Sequence, residues 1–385
     1  MALDAIPFTR PFRTPDELAY LEEVLDSGHG QGDGVFTRRA SALLEGITGA
    51  RHALLTPSGT HALELALWLL DLEPGDEVIV PSFTFSSTAA AAVQVGAVPV
   101  FVDIDARTGN IDPDAVAAAV GPRTRAMCVV HYGGVGVDID PIARTASEHG
   151  LAIVEDNAHG LGGTWQGRAL GTLGDLAAQS FHSTKNVHAG EGGALLTSSD
   201  VLAERAEIVR EKGTDRSKFI RGQIDKYSWV DRGSSFLPSE LNAAVLTAQL
   251  EHFEEIQRLR HAVWAAYAQR LPEWAAAHGW SLMHVPEGAE HPAHVFYMLA
   301  PDHAEQTAMI AHLRDAGIQA TFHYVPLDSS VAGRRFGRTP SPCTVTADFS
   351  ARLVRLPLFT GMTPEQVDRV VDGVQSYVRV PGQGC

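Results

Sequence analysis

From about residue 50 to residue 182 the chain alternates short apolar runs with segments of helical period, and no other feature limits the fold as strongly. The runs HALLT (52–56), EVIVPS (77–82), VPVFVDI (98–104), AMCVVH (126–131), LAIVED (151–156) and AAQSFH (177–182) read as strands. THALELALWLL (60–70), SSTAAAAVQV (86–95) and PIARTASEHG (141–150) read as the helices between them. Val- and Ile-rich strands spaced by helices predict an α/β fold, a mostly parallel sheet between helical layers. Such a sheet binds ligands beyond the C-terminal ends of its strands. Chemistry is to be sought there.

The flanks read differently. Thr14-Pro15-Asp16-Glu17 has the form of a capping box opening a helix, with Leu18, Leu21, Val24 and Leu25 on one face and Gly28 ending it. The glycine-rich GHGQGDG (28–34) that follows predicts a mobile loop. Residues 238–271 read as one long amphipathic helix bridging two lobes. Beyond it, strands near HVFYMLA (294–300), QATFHYV (319–325) and ARLVRLP (351–357) predict a smaller α+β lobe, closed by a helix capped at Thr363-Pro364-Glu365-Gln366. The expected division is therefore 1–237, 238–271 and 272–385.

With 385 residues, 45% hydrophobic and 20% charged, there is ample material for a core. A net charge of −16 argues against general nucleic-acid binding, so any anionic ligand needs a local basic pocket. Cys128, Cys343 and Cys385 form no CxxC pair, which predicts a reducing, cytoplasmic setting. No apolar run is suited to secretion or to spanning a membrane. The 17 histidines show no HExxH or paired Cys/His spacing, so no metal is expected.

Three candidates stand where strands end. Ser58-Gly59-Thr60 turns from a strand into a helix and offers N–H groups and hydroxyls to a phosphate, although the same turn also serves as an ordinary N-cap. Asp156 closes LAIVED as a structural anchor or as the partner of a buried cation, and His159 lies three residues on. Lys185 sits between a buried strand and a GEGG turn, where desolvation makes its amine a candidate for Schiff-base chemistry; a solvated lysine is the plain alternative. Ser180 precedes it with another hydroxyl. An anion cradle, a carboxylate and a lysine in this order are what pyridoxal phosphate requires. Phe85 then has a ring to stack on.

These segments resemble the sugar aminotransferases of the DegT/StrS type, pyridoxal-phosphate enzymes of the aspartate-aminotransferase (type I) fold. The resemblance runs from IPFTRP to RLPLF (355–359) through PSGTHAL (57–63), PSFTFSST (81–88), VEDNAHG (154–160), SFHSTKN (180–186), GEGG (190–193) and FHYVPL (322–327). It implies that Lys185 bonds the cofactor aldehyde, Asp156 pairs with the ring nitrogen and Phe85 stacks on the ring. Ser58, Gly59, Thr60 and Ser180 would hold the phosphate, with His159 near the ring oxygen. It also implies L-glutamate as amino donor and a homodimer with active sites at the interface, without nucleic-acid or membrane partners. REKGTDR (210–216), KYSWVDRGSSFLPSEL (226–241) and VHYGG (130–134) resemble the branch that aminates C4 of a dTDP-4-keto-6-deoxyhexose. On that likeness His131, His323 and Tyr324 join the substrate set.

In 210–221 five basic residues face only Glu211 and Asp215, so Lys212 and Arg216 are expected to hold a diphosphate; a solvated helix end is the alternative. The chain departs from the family at Ser235, where relatives carry an asparagine that reaches the neighbouring subunit's cofactor, and at Asp328, where they carry histidine. Amination at C3, a GDP- or UDP-linked sugar, or a regulator that binds the cofactor without turnover remain alternatives. A nicotinamide dehydrogenase would need a GxGxxG after the first strand, which is missing.

Overall fold

The computed structural model describes residues 5–378. Seven strands form the main sheet: β1 (His52–Thr56), β2 (Glu77–Pro81), β3 (Val98–Val102), β4 (Thr124–Val130), β5 (Ala152–Asp156), β6 (Leu176–Ser180) and β7 (Gly193–Thr197). Their spatial order is β1-β7-β6-β5-β4-β2-β3. Only β7 runs against its neighbours β1 and β6; the other pairings are parallel. All six expected strands form. β7 was not anticipated, because its run GALLT opens on the glycines of a turn and lacks β-branched residues until its last position.

Two apolar layers sandwich the sheet. Val78, Val80, Phe101 and Val154 point to one side, and Ile79, Val100, Met127 and Ile153 to the other, as the two-residue period of strands requires. Helices α1 (Glu17–Ser27), α2 (Val35–Thr48), α3 (Gly59–Leu69), α4 (Ser86–Gln94), α5 (Pro113–Ala119), α6 (Ile139–His149), α7 (Asp200–Arg210) and α8 (Arg216–Ile220) cover it or extend from it. At the start of α1 the Glu17 carboxylate accepts from Thr14 N–H at 3.0 Å, and Gly28 ends the helix at φ 65°. On the expected apolar face Val24 is buried, whereas Leu18 and Leu25 are exposed.

The glycine-rich stretch 28–34 is not a free loop. The buried Glu240 carboxylate accepts from Gly34, Phe36 and Thr37 N–H at 3.0, 2.8 and 3.1 Å, capping α2 where its dipole is positive. A Cβ on Gly34 would stand 2.4 Å from that carboxylate. These glycines serve close approach as well as turning.

The single helix expected over 238–271 is two, α9 (Glu240–Glu251) and α10 (Phe253–Arg270). His252, at ψ 16°, opens the helical ladder, and its ring bonds Asp16 at 2.8 Å. α9 packs on α1 and α2, while Val263 and Tyr267 of α10 enter the core of the C-terminal lobe. That lobe holds the antiparallel sheet β8 (Ser281–Leu282), β9 (Phe296–Leu299) and β10 (Leu353–Leu356), in that order. Ile6 from the N-terminus is buried in the same core, so a boundary at 237 does not contain this first segment. The strand expected over 319–325 reduces to one bridge, Thr321 with Arg355. Helix 364–375 has its capping box at Thr363 and Gln366. Cys128 and Cys343 are buried free thiols; Cys385 lies outside the described residues. Among the described residues no helix is long and apolar enough to cross a membrane.

Candidate active site

The C-terminal edge of the main sheet opens into a cavity of about 630 Å³. Its far end is built where β1 enters α3. Ser58 caps α3 by accepting from His61 N–H at 3.2 Å, which leaves the positive helix end facing the cavity. A Cβ at Gly59 would stand 2.8 Å from Ser180 Cβ, so only glycine lets the helix start approach the end of β6 this closely. At Gly193 a Cβ would stand 2.3 Å from the Ser58 carbonyl. Thr60 and Ser87 hydroxyls meet at 2.7 Å on the same wall. Ser58, Gly59, Thr60, Ser87 and Ser180 thus line one cavity at the start of α3, where the helix dipole favours an anion.

Asp156 ends β5 with its carboxylate on the cavity. It accepts from the Thr88 hydroxyl at 2.6 Å and from Ala158 N–H at 3.2 Å. Thr84 in turn donates to Thr88 at 2.8 Å. Lys185 stands in the loop after β6, which folds on itself through Lys185 N–H to His182 O and Ser183 N–H to Gly190 O, at 2.8 and 2.9 Å. Its residue surface is partly open, but the ammonium is surrounded by protein. Burial lowers its pKa from 10.5 to about 8; Asp156 opposes that shift and Arg355 adds to it.

The near wall is aromatic and basic. His159 stacks on His294, centroids 4.3 Å apart, and accepts from Gly133 N–H at its Nδ1. Burial, reinforced by the neighbouring cations Lys185 and Arg355, holds His159 and His294 well below the usual imidazole range. His323 lies flat on Tyr324 at 3.8 Å, with its Nδ1 3.3 Å from the Tyr132 hydroxyl and its Nε2 against an Arg355 nitrogen. Burial and then the Arg355 charge push its pKa far down as well. Phe85, 58% exposed, stands at the mouth beside Tyr324.

Ten expected residues therefore line one cavity: Ser58, Gly59, Thr60, Phe85, Asp156, His159, Ser180, Lys185, His323 and Tyr324. Four do not. His131 is fully buried, accepting from Val137 N–H at Nδ1 and bonding Glu155 through Nε2 at 2.8 Å. Successive residues of β5 face opposite ways, so Asp156 looks into the cavity while Glu155 and its partner His131 look away. This removes His131 from the substrate set. Ser235 is exposed and bridged to Glu211, outside the cavity of its own chain.

Lys212 and Arg216 also stand apart, both on Glu211 at 3.0 and 3.3 Å. The local basic excess disappears in three dimensions. Arg210 pairs with Asp33, Lys218 with Glu204 and Arg221 with Glu207, acids that the segment count left out.

Sequence reasoning passed over Thr88, His294, Arg355 and Phe8. Arg355 left a signal: an arginine within the apolar strand run RLVRLP is buried only for a reason. His294 and Phe8 left none, since only folding brings them to the cavity.

The residues present fit pyridoxal phosphate. The α3 cradle suits its phosphate, Asp156 a ring nitrogen, Phe85 and His159 the flanks of the ring, and Lys185 its aldehyde. Comparison agrees. Residues 12–375 match the DegT/DnrJ/EryC1/StrS aminotransferase family. The chain is 32% identical to the spore coat polysaccharide biosynthesis protein SpsC of Bacillus subtilis, with 97% of each covered. In structure it resembles DesV of S. venezuelae (TM-score 0.89, 31% identity, 98% of this chain and 100% of that one). It also resembles a candidate sugar aminotransferase of Streptococcus pneumoniae in its PLP form (TM-score 0.88, 26% identity, 97% and 98% covered). With fold, cavity and kinship in agreement, the chain belongs to the DegT/DnrJ/EryC1/StrS family and is a pyridoxal-phosphate-dependent sugar aminotransferase.

Proposed function

We propose that the enzyme transfers the amino group of L-glutamate to C4 of a dTDP-4-keto-6-deoxyhexose, giving dTDP-4-amino-4,6-dideoxy-galactose or -glucose and 2-oxoglutarate. The observation that carries this reading is the Lys185 amine, lowered to about 8, facing the same cavity as the phosphate cradle and Asp156. Such an amine is neutral in useful amounts near physiological pH and can take and return a proton. Bound pyridoxal phosphate supplies an electron sink that makes a carbon-bound proton labile.

Each residue then has one task. Ser58, Gly59, Thr60 and Ser180 anchor the phosphate, and Thr88 orients the Asp156 carboxylate toward the ring nitrogen. Lys185 Nζ removes the proton from the donor α-carbon and later delivers one to sugar C4. His159 and Phe85 bracket the ring and keep water from its faces. His323 and Tyr324, on the segment crossing the mouth, take the substrate side.

The dTDP and C4 assignments rest on the likeness of 210–216 and 226–241 to that branch. The span 210–241 carries exposed Ile220, Tyr227 and Trp229 beside half-exposed Lys212 and Arg216. A protruding apolar and basic surface of this kind suits a second copy. In the homodimer Ser235, Lys212 and Arg216 would serve the partner's cavity and its diphosphate.

Incubation with L-glutamate and dTDP-4-keto-6-deoxyglucose, followed by NMR of the product, tests the reading. A new C4 amine is expected. No conversion there, with good conversion of a 3-keto or UDP-linked sugar, would overturn the substrate.

A further inference from the structure

Ala293 is a backbone outlier of the C-terminal lobe. It is fully buried and stands at φ 50°, in the left-handed region that a non-glycine residue rarely enters. Strain of this kind persists only where surrounding contacts impose it, and it gathers at functional places. Two groups impose it here. Arg260, 3% exposed on α10, donates to the Ala293 and His294 carbonyls at 3.1 and 2.8 Å. Asn186 Nδ2 donates to the Pro292 carbonyl at 2.7 Å. The bend delivers the His294 ring to a cleft of about 10 Å³ that it shares with His159, Ser180 and Lys185.

The tautomer of that ring follows from its partners. A carbonyl can only accept, so the Asn186 nitrogen is the atom at Pro292 and its oxygen is the atom 2.8 Å from His294 Nδ1. His294 therefore carries a proton on Nδ1. Burial, with His159, Lys185, Arg260 and Arg355 nearby, keeps the ring neutral. Nε2 is then left with a bare lone pair, and among the described residues no group donates to it. His159 stacks on one face of the ring at 4.3 Å, while the ring lines both the main cavity and the cleft. The cleft has room for one group the size of a water or an amine.

We propose that His294 is a positioning residue for Lys185: its Nε2 accepts a hydrogen bond from the Lys185 amine and so aims the amine's own lone pair at the proton to be moved. This rests on the reading of Lys185 as the proton carrier. A neutral amine has two N–H bonds and one lone pair at the end of a flexible stem. One well-placed acceptor removes most of the freedom of that lone pair, which favours the reacting geometry. A neutral imidazole suits the task. It accepts without a full negative charge, which would hold the ammonium and slow delivery of the proton. The same device ties the lobes together at the lysine, because Asn186 bonds Gln257 of α10 as well as the 292–294 bend.

The test uses the holoenzyme with α-deuterated L-glutamate alone and reads loss of the deuteron to solvent. His294→Phe keeps a ring against His159 and removes the acceptor. Its exchange rate constant should fall about 30-fold, with KM for glutamate within about threefold. Amination of the keto sugar by the pre-aminated enzyme should fall by the same factor, because both halves use one amine. His294→Gln, which offers an acceptor oxygen, should recover most of the loss. In the cofactor-free protein, amine labelling of Lys185 should move its midpoint down by about one pH unit in His294→Phe, since an acceptor favours the ammonium. In His294→Gln the midpoint should stay near that of the wild type. A role in packing alone would lower stability without moving this midpoint.

Unchanged exchange and an unchanged midpoint in a folded His294→Phe would overturn the proposal. So would a loss confined to the keto-sugar half, which would place Nε2 on a sugar hydroxyl instead. Should that variant not fold, nitrogen NMR of the wild-type histidine rings decides: a proton on Nδ1 of His294 is expected, and a proton on Nε2 would overturn the proposal. A wild type that exchanges the glutamate deuteron but aminates no dTDP-linked keto sugar would instead break the proposed substrate and leave the His294 contact standing.

Discussion

The two ends of the cavity were assembled by different means. At the cofactor end, Ser58–Thr60, Phe85, Asp156 and Lys185 each sit within a few residues of the end of a neighbouring strand in one sheet. At the mouth, Phe8, His294, His323 and Arg355 come from the N-terminal segment and three separate parts of the C-terminal lobe. The first end follows from sheet topology, which places every loop on the same edge. The second depends on how two lobes dock. One expects the first to tolerate little change in chemistry and the second to decide which molecules enter.

That contrast is open to direct attack, beginning with its centre. Lys185→Met should reduce turnover on the order of 10⁴-fold, measured in either half-reaction, because both use the same proton carrier. The cofactor-free variant should at the same time be more stable. The Lys185 pKa falls from 10.5 to about 8 on folding, so below pH 8 the folded chain bears the cost of a desolvated ammonium. That cost, about 3 kcal/mol, is relieved as pH rises from 8 to 10.5. Denaturant melts of the two cofactor-free proteins should differ at pH 7 and converge above pH 10.5; equal stability at pH 7 would count against a buried amine.

A smaller effect is expected one layer behind the cofactor. Thr88→Val removes the hydroxyl that Asp156 accepts at 2.6 Å, and kcat should drop about tenfold in both half-reactions, the worth of one hydrogen bond to a charged group. By contrast, Arg355→Met alters the mouth as well as the Lys185 amine and should change the two half-reactions to different extents. If Thr88→Val also changed them unequally, the division between the two ends would be wrong.

The two ends should also pull the Lys185 titration in opposite directions. Borohydride-free labelling of the cofactor-free protein by an amine-selective reagent should rise through a midpoint near pH 8. Asp156→Asn removes the group that raises this pKa and should shift the midpoint down. Arg355→Met removes one that lowers it and should shift it up. Least affected should be the paired surface cations. Lys212→Glu or Arg216→Glu should raise KM for the sugar nucleotide only a few-fold, since Glu211 already neutralises part of the charge that each would offer the diphosphate.

Much of the fold was legible because strand period and helix period alternate so regularly between 50 and 182. The cofactor-end residues were legible for the same reason: a strand end can be read from local pattern. Where the reading failed, the competing force acted over a distance. His252 interrupts a helix that its own neighbours favour, and its ring is held by Asp16, 236 positions away. The GHGQGDG stretch looked unconstrained until Glu240 arrived to cap α2. His131 stood beside glycines typical of a site, yet strand alternation turned it toward Glu155 and away from the ligand. The charge of 210–221 looked free because Asp33, Glu204 and Glu207 are not in it.

Apolar periodicity, turn glycines and the order of strand-end residues are local properties, carried by ten or so consecutive side chains, and they determined the sheet, its ligand edge and the lysine. Electrostatic pairing and burial are properties of groups far apart in the chain, because an ion pair or a desolvated amine depends on what packs beside it. Only the folded molecule could decide which histidines face the ligand, which cations are already neutralised, and that Arg355 is buried at the cavity with its Nε unpartnered.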